Sequence, residues 1–287
     1  MKWKIVVDSS CDLRELDTLG NDEIGFEAVP LKVIVGDREF IDAKGLDTAE
    51  MMEVMKNYNG KTSSSTPNIG EWKEAFLEGE NVFALTITGK LSGSAASANN
   101  AKRLIEEEGN KKNIKIIDTL STGPEMSLLA EKIVELINKG LSFEEICAKS
   151  EKYLATTHLL YVLESLDNLI KNGRVSKLEG GLAGLLGIRI LGIASQEGTL
   201  ELLSKCRGQK KVYDQMFDKM LEYGYNGGKV IISHCFNDKW AEYLKEKIKD
   251  KFNACKVTIM PTGGLCSYYA QMHGILLGFE TKATANI

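Results

Sequence analysis

LTITGKLSGSAASA, residues Leu85 to Ala98, decides how the chain is read: an apolar strand runs into a hydroxyl-rich turn, and the turn opens a helix. Val82, Phe83, Leu85 and Ile87 form the strand, Gly89 to Ser94 the turn, and Ala98, Ala101, Leu104 and Ile105 recur at helical spacing. Backbone N–H groups at a helix start lack intrahelical partners, so with serine hydroxyls beside them they suit a carboxylate or a phosphate. A second segment, Lys61 to Pro67 (KTSSSTP), repeats the chemistry before a helical face at Ile69, Trp72, Phe76 and Leu77. Thr66 is expected as its N-cap, with Pro67 at the first helical position. Either segment alone reads as an ordinary helix cap; the two together raise the case for an anion site.

Strand patterns at Lys4–Val7, Val82–Thr86 and Ile114–Ile117 alternate with helical patterns near Thr48–Tyr58, Asn68–Glu78, Ser94–Glu107 and Glu125–Asn138. That alternation predicts a parallel sheet with covering helices. Ligands of such sheets sit beyond the carboxyl ends of the strands, where Asp8, Ser9, Ser10 and the Ser92 turn fall. After a helix over Ser142–Leu154 the pattern changes to a strand at His158–Leu163, a short helix ending at Lys171, and a hairpin of Ile188–Ile193 with Leu200–Ser204. Helices at Lys210–Glu222 and Asp238–Phe252 flank a strand at Lys229–Ser233, so this half is expected to be mixed or antiparallel. With 287 residues, 43% of them hydrophobic, there is material for two cores, and the reading divides the chain into 1–155 and 156–287.

Composition excludes several functions. A net charge of −4 gives no reason to expect nucleic acid as a partner. Six cysteines without a C-x-x-C pair read as reduced thiols, and three dispersed histidines suggest no metal site. The N-terminus enters a strand without the apolar region of a signal peptide, which predicts a cytoplasmic location. The longest apolar stretch, Leu182–Ala194, is too short to span a bilayer and carries Arg189, so no membrane insertion is expected. Gly60-Lys61-Thr62 matches the end of a phosphate-binding loop, but Met55 stands where the first glycine is required. No H-E-x-x-H, G-x-S-x-G or G-x-G-x-x-G occurs; no catalytic residue, metal or cofactor is expected.

TSSSTP at Thr62–Pro67, LSGSAASA at Leu91–Ala98, DSSCDL at Asp8–Leu13 and LDNLIKNGRVSK at Leu166–Lys177 resemble, in order and spacing, the DegV family of bacterial lipid-binding proteins. IDTLSTG at Ile117–Gly123, LGIRILGI at Leu186–Ile193 and KCRGQKK at Lys205–Lys211 extend the resemblance over nearly the whole chain. It implies a DegV-like α/β fold, an N-terminal parallel-sheet α/β/α domain followed by a C-terminal mixed or antiparallel α/β domain. It further implies a non-enzymatic carrier that holds one long-chain fatty acid between the domains and, in some members, presents it to a fatty acid kinase that makes an acyl phosphate. Carried over residue by residue, the carboxylate contacts fall on Thr62 and Ser92, with Ser63, Gly93 and Ser94 in the same turns. Many members have a histidine in a Gly-Thr-His-x-Gly-Pro-Gly run near the C-terminus, where this chain has Pro261 to Tyr269 (PTGGLCSYY).

Three further groups stand apart. Arg174, in Gly173–Lys177 after an amphipathic helix, is either a solvated helix-end cation or a closure over the anionic mouth. Arg207, among Lys205, Lys210 and Lys211, is either part of a solvated basic face or a bidentate contact for phosphate in a kinase complex. Gly180–Gly187 and the pair Tyr268–Tyr269 either line an acyl tunnel or pack tightly in a core. The competing functional reading is an enzyme acting on a small carboxylated or phosphorylated substrate in the same cleft.

Overall fold

The computed structural model describes residues 1–175 and 187–282; Ser176, Lys177 and the glycine-rich run 180–186 lie outside the described residues. In chain order, β1 (Trp3–Asp8) passes through a 3-10 turn at Ser9–Cys11 to β2 (Ile24–Val29), β3 (Lys32–Val35), β4 (Arg38–Ile41), α1 (Thr48–Asn57), β5 (Thr62–Ser65) and α2 (Ile69–Leu77). Then come β6 (Asn81–Thr86), α3 (Ser94–Glu107), β7 (Asn113–Asp118), α4 (Pro124–Asn138), α5 (Phe143–Leu154), β8 (Thr157–Leu163) and α6 (Asp167–Lys171). β9 (Ile188–Ala194), β10 (Leu200–Arg207), α7 (Gln209–Glu222), β11 (Val230–His234), α8 (Asp238–Lys251), β12 (Val257–Pro261), α9 (Gly264–Ala270) and β13 (Ile275–Glu280) complete it.

The first sheet has the order β2-β1-β6-β7 with every pair parallel, as the strand–helix alternation predicts. Its strands are covered on both faces, which is why they read as continuous apolar runs. Val6, Val82 and Ala84 pack under α2 and α3, while Ile5, Val7, Phe83 and Leu85 pack against α4 and α5. The second sheet runs β10-β9-β8-β13-β11-β12 and is antiparallel except for the β11–β12 pair, so it is mixed. Leu160, Val162, Leu191 and Ile232 face α7 and α8 through Val212, Met216, Leu244 and Ile248. On its other face α4 comes so close that a Cβ on Gly278 would lie 2.8 Å from the Glu125 nitrogen, so a side chain there is excluded by backbone.

The second hydroxyl segment folds differently from its expectation. Thr62–Ser65 is a strand, paired antiparallel with β3 in a small β4-β3-β5 sheet, and Thr66 and Pro67 precede the helix rather than start it. The cap is Asn68, which accepts from the Glu71 N–H while the Glu71 side chain accepts from the Asn68 N–H. This reciprocal pairing satisfies two orphan donors, more than a lone threonine could. β10 also runs three residues past its expected end at Ser204.

α9 is pinned between the two halves of the chain. The Gly263 N–H donates to Asp12 Oδ1 at 2.7 Å, and the Gly264 and Leu265 N–H groups donate to Asp42 at 2.7 and 2.9 Å. Arg14 pairs with Asp42 and lends its charge to Asp12. Burial nevertheless pushes the Asp12 carboxyl up to about 6, against the opposing pull of the Gly263 N–H and Arg14. The native state therefore binds more protons than the unfolded chain between the ordinary aspartate range and about pH 6, and the Asp12 contribution to stability falls as pH rises through that window. Asp12→Asn keeps the acceptor for Gly263 and tolerates the left-handed backbone (φ 64°) at this position. Melting curves across pH 4 to 7 are expected to show a shallower decline for this variant; identical slopes in both proteins would contradict the assignment.

Candidate functional site

Leu159, Tyr161 and Leu163 of β8 face away from α7 and α8, because successive side chains of a strand point to opposite faces. With Leu200 and Leu276 they make an apolar wall, opposed by Leu265, Cys266, Tyr269 and Ala270 at α9 and by Leu31, Ile87, Leu91 and Leu169. The cavity between them holds about 780 Å³ of atom-free space, part of it open to solvent.

Polar groups on the wall are connected to one another. Strand alternation puts Thr62 and Ser64 on one face of β5, toward the two tyrosines of α9. Ser64 Oγ and the Tyr269 hydroxyl are 2.8 Å apart at the cavity surface. Thr62 Oγ1 is 2.8 Å from the Tyr268 hydroxyl, which also accepts from Asn172 Nδ2 at 2.9 Å. Burial raises the Tyr268 phenol above its ordinary range, so it stays a neutral donor. Thr66, on the wall, stands on the side of Gly93 where a Cβ would point, and Ser92 Oγ, also on the wall, accepts from the Ser94 N–H at 3.2 Å. Arg174, also on the wall, donates to the Asn172 carbonyl at 2.7 Å.

The residues expected to contact an anion thus occupy different places. Ser92 and Arg174 are on the cavity wall. Thr62 is buried one layer back, engaged with Tyr268. Ser63 belongs to the opposite face of β5. Gly93 is the N-cap of α3 without a side-chain cap bond. Ser94 donates to the Asp8 carboxylate at 2.6 Å, which also receives the Ile87 N–H at 2.8 Å and both donors of Ser10. Ser94 therefore fastens the turn to the end of β1. Arg207 is exposed at the end of β10, outside the cavity.

Sequence reasoning missed Ser64, Thr66, Thr122 and Cys266 on the wall. The first two had a signal in the period-2 spacing of Thr62, Ser64 and Thr66, which becomes legible once the segment is read as a strand. None of the three histidines lines this cavity: His158 packs on Phe279, His234 accepts from the Asn237 N–H, and His273 sits 3.2 Å from Glu164. Burial raises the Cys266 thiol well above its ordinary range, which makes it a poor nucleophile. Among the described residues, no group of three or more His, Cys, Asp or Glu side chains could hold a metal ion, and no helix is long and apolar enough to cross a membrane.

Comparison with known proteins agrees with this architecture. The family model described as "Uncharacterised protein, DegV family" matches residues 2–276. A DegV domain-containing protein of Streptococcus gordonii is 46% identical over 280 residues, covering 98% of this chain and 99% of the relative. Among solved structures, the Streptococcus pneumoniae Fatty Acid Kinase (Fak) B3 protein loaded with linoleic acid superposes with a TM-score of 0.95 at 43% identity, covering 98% of this chain and 100% of that one. A Eubacterium eligens DegV family protein loaded with heptadecanoic acid does so with 0.92 at 39% identity, again covering 98% and 100%. Sequence, fold and cavity lead to one conclusion: the chain belongs to the DegV family.

Proposed function

We propose that the chain is a carrier that binds one long-chain fatty acid between an N-terminal lobe, 1–155, and a C-terminal lobe, 156–287, and hands its carboxylate to a fatty acid kinase. The observation that carries this reading is a cavity walled by leucines with the hydroxyl groups of Ser64, Thr66, Ser92, Thr122 and Tyr269 and the guanidinium of Arg174 on its surface. The tail supplies the driving force: about fourteen methylenes at ~0.8 kcal/mol each give on the order of 11 kcal/mol of transfer free energy. Association costs of roughly 4–15 kcal/mol offset much of it, so a preformed cavity is needed for tight binding.

The hydroxyl groups set the orientation. A carboxylate taken out of water without donors is strongly disfavoured, and Ser92, Tyr269 with Ser64, and Arg174 supply charge-assisted hydrogen bonds where the cavity turns polar. Thr62 acts one layer back, through Tyr268. The chain itself performs no bond-making: the kinase transfers the terminal phosphoryl group of ATP to a carboxylate oxygen, giving acyl phosphate and ADP. Arg207, exposed with Lys205 and Lys211, is the proposed contact for the kinase or the transferred phosphate. Six unpaired cysteines fit a reducing cytoplasm as the place of action.

Organic extraction of the purified protein followed by mass spectrometry is expected to release one fatty acid per chain. The double variant Ser92→Ala, Tyr269→Phe is expected to bind that acid more than tenfold more weakly in calorimetry with its melting temperature preserved. Recovery of a polar metabolite, or unchanged affinity of the variant, would contradict the reading. Arg207→Ala is expected to keep its acid affinity within twofold while acyl phosphate formation with the kinase and ATP slows at least fivefold. Parallel loss of both would place Arg207 in the binding site instead.

A further inference from the structure

We propose that Tyr161, which extends across Gly192, sets how long an acyl tail the cavity accepts; the inference rests on the fatty acid reading above. Tyr161 is the largest side chain that β8 turns toward the cavity, and it is buried there. Directly opposite it in the β8–β9 ladder stands Gly192. A Cβ on Gly192 would lie 2.2 Å from the Tyr161 ring and hydroxyl, so the ring occupies the space that any other residue would fill. The hydroxyl reaches one strand further and donates to the Glu201 carbonyl of β10 at 3.1 Å.

These contacts fix the direction of the side chain. Side chains on a sheet ordinarily stand roughly perpendicular to it. Here the glycine removes the obstacle and the Glu201 carbonyl holds the far end, so the side chain lies along the sheet and the tail passes over it. Leu159, Leu163 and Leu200 continue the same wall. The sheet thereby places an aromatic floor under the tail, and removing that floor gives the tail new depth.

Affinities for saturated acids of fourteen to twenty carbons, measured by calorimetry on delipidated protein, test this. In Tyr161→Leu the preference for the twenty-carbon over the sixteen-carbon acid is expected to rise roughly tenfold, since two further methylenes buried correspond to about that factor. Tyr161→Phe keeps the ring and is expected to hold the ratio within twofold of wild type. Should Tyr161→Leu melt early, Tyr161→Met is expected to give the same rise. A wild type that binds acids while the Leu and Met variants keep its length profile would overturn this inference alone. A wild type that binds no acid of the series would overturn the fatty acid reading and this inference with it.

Discussion

Backbone donors at the start of α9 meet two carboxylates, Asp12 and Asp42, that come from the first half of the chain. Much of the cavity depends on that contact. It places Tyr268 and Tyr269 beside the hydroxyls of β5, and it sets Leu265 and Cys266 opposite the leucines of the second sheet. Arg14 pairs with Asp42, and the cost of burying Asp12 shows in its raised carboxyl. A short helix whose position is decided by ion pairs and backbone hydrogen bonds, rather than by its own seven residues, thus joins the two sheets.

The binding reading follows from a division of labour between surfaces. Apolar area supplies affinity without direction, while a few polar groups supply direction with little net affinity. Hydroxyls suit the second task, because each can donate to a carboxylate and still accept from a neighbour, as Ser92 does from the Ser94 N–H. Beside these hydroxyls the chain sets a tyrosine pair, Tyr268 and Tyr269, with ring centroids 4.8 Å apart. A phenol and an alcohol present an uncharged donor pair across the physiological pH range, whereas an imidazole would titrate within it.

The parallel sheet was legible because its strands are buried on both faces and alternate with strongly periodic helices. The hairpin after β9 was legible from Gln196-Glu197-Gly198, and Gly198 there adopts a left-handed backbone (φ 81°). The small β4-β3-β5 sheet was not, since TSSS has no apolar–polar contrast to mark a strand. Nor was α9, which is only seven residues long and carries two glycines in or next to its first turn. At the site, Ser92 and Arg174 could be named from their turns, but Ser64 and Tyr269 meet only through contacts 205 positions apart in the chain. Ser94 shows the opposite limit: its hydroxyl belongs to Asp8, a partner 86 residues away that no local pattern reveals.

A crystal structure of the protein with a sixteen-carbon fatty acid tests the central claim most directly. The account expects the carboxylate oxygens within hydrogen-bond distance, about 2.5–3.2 Å, of Ser92 and of the Tyr269–Ser64 pair, with the tail running over Tyr161. A carboxylate found among Leu159, Leu200 and Leu276, or an acid bound outside this cavity, would contradict it.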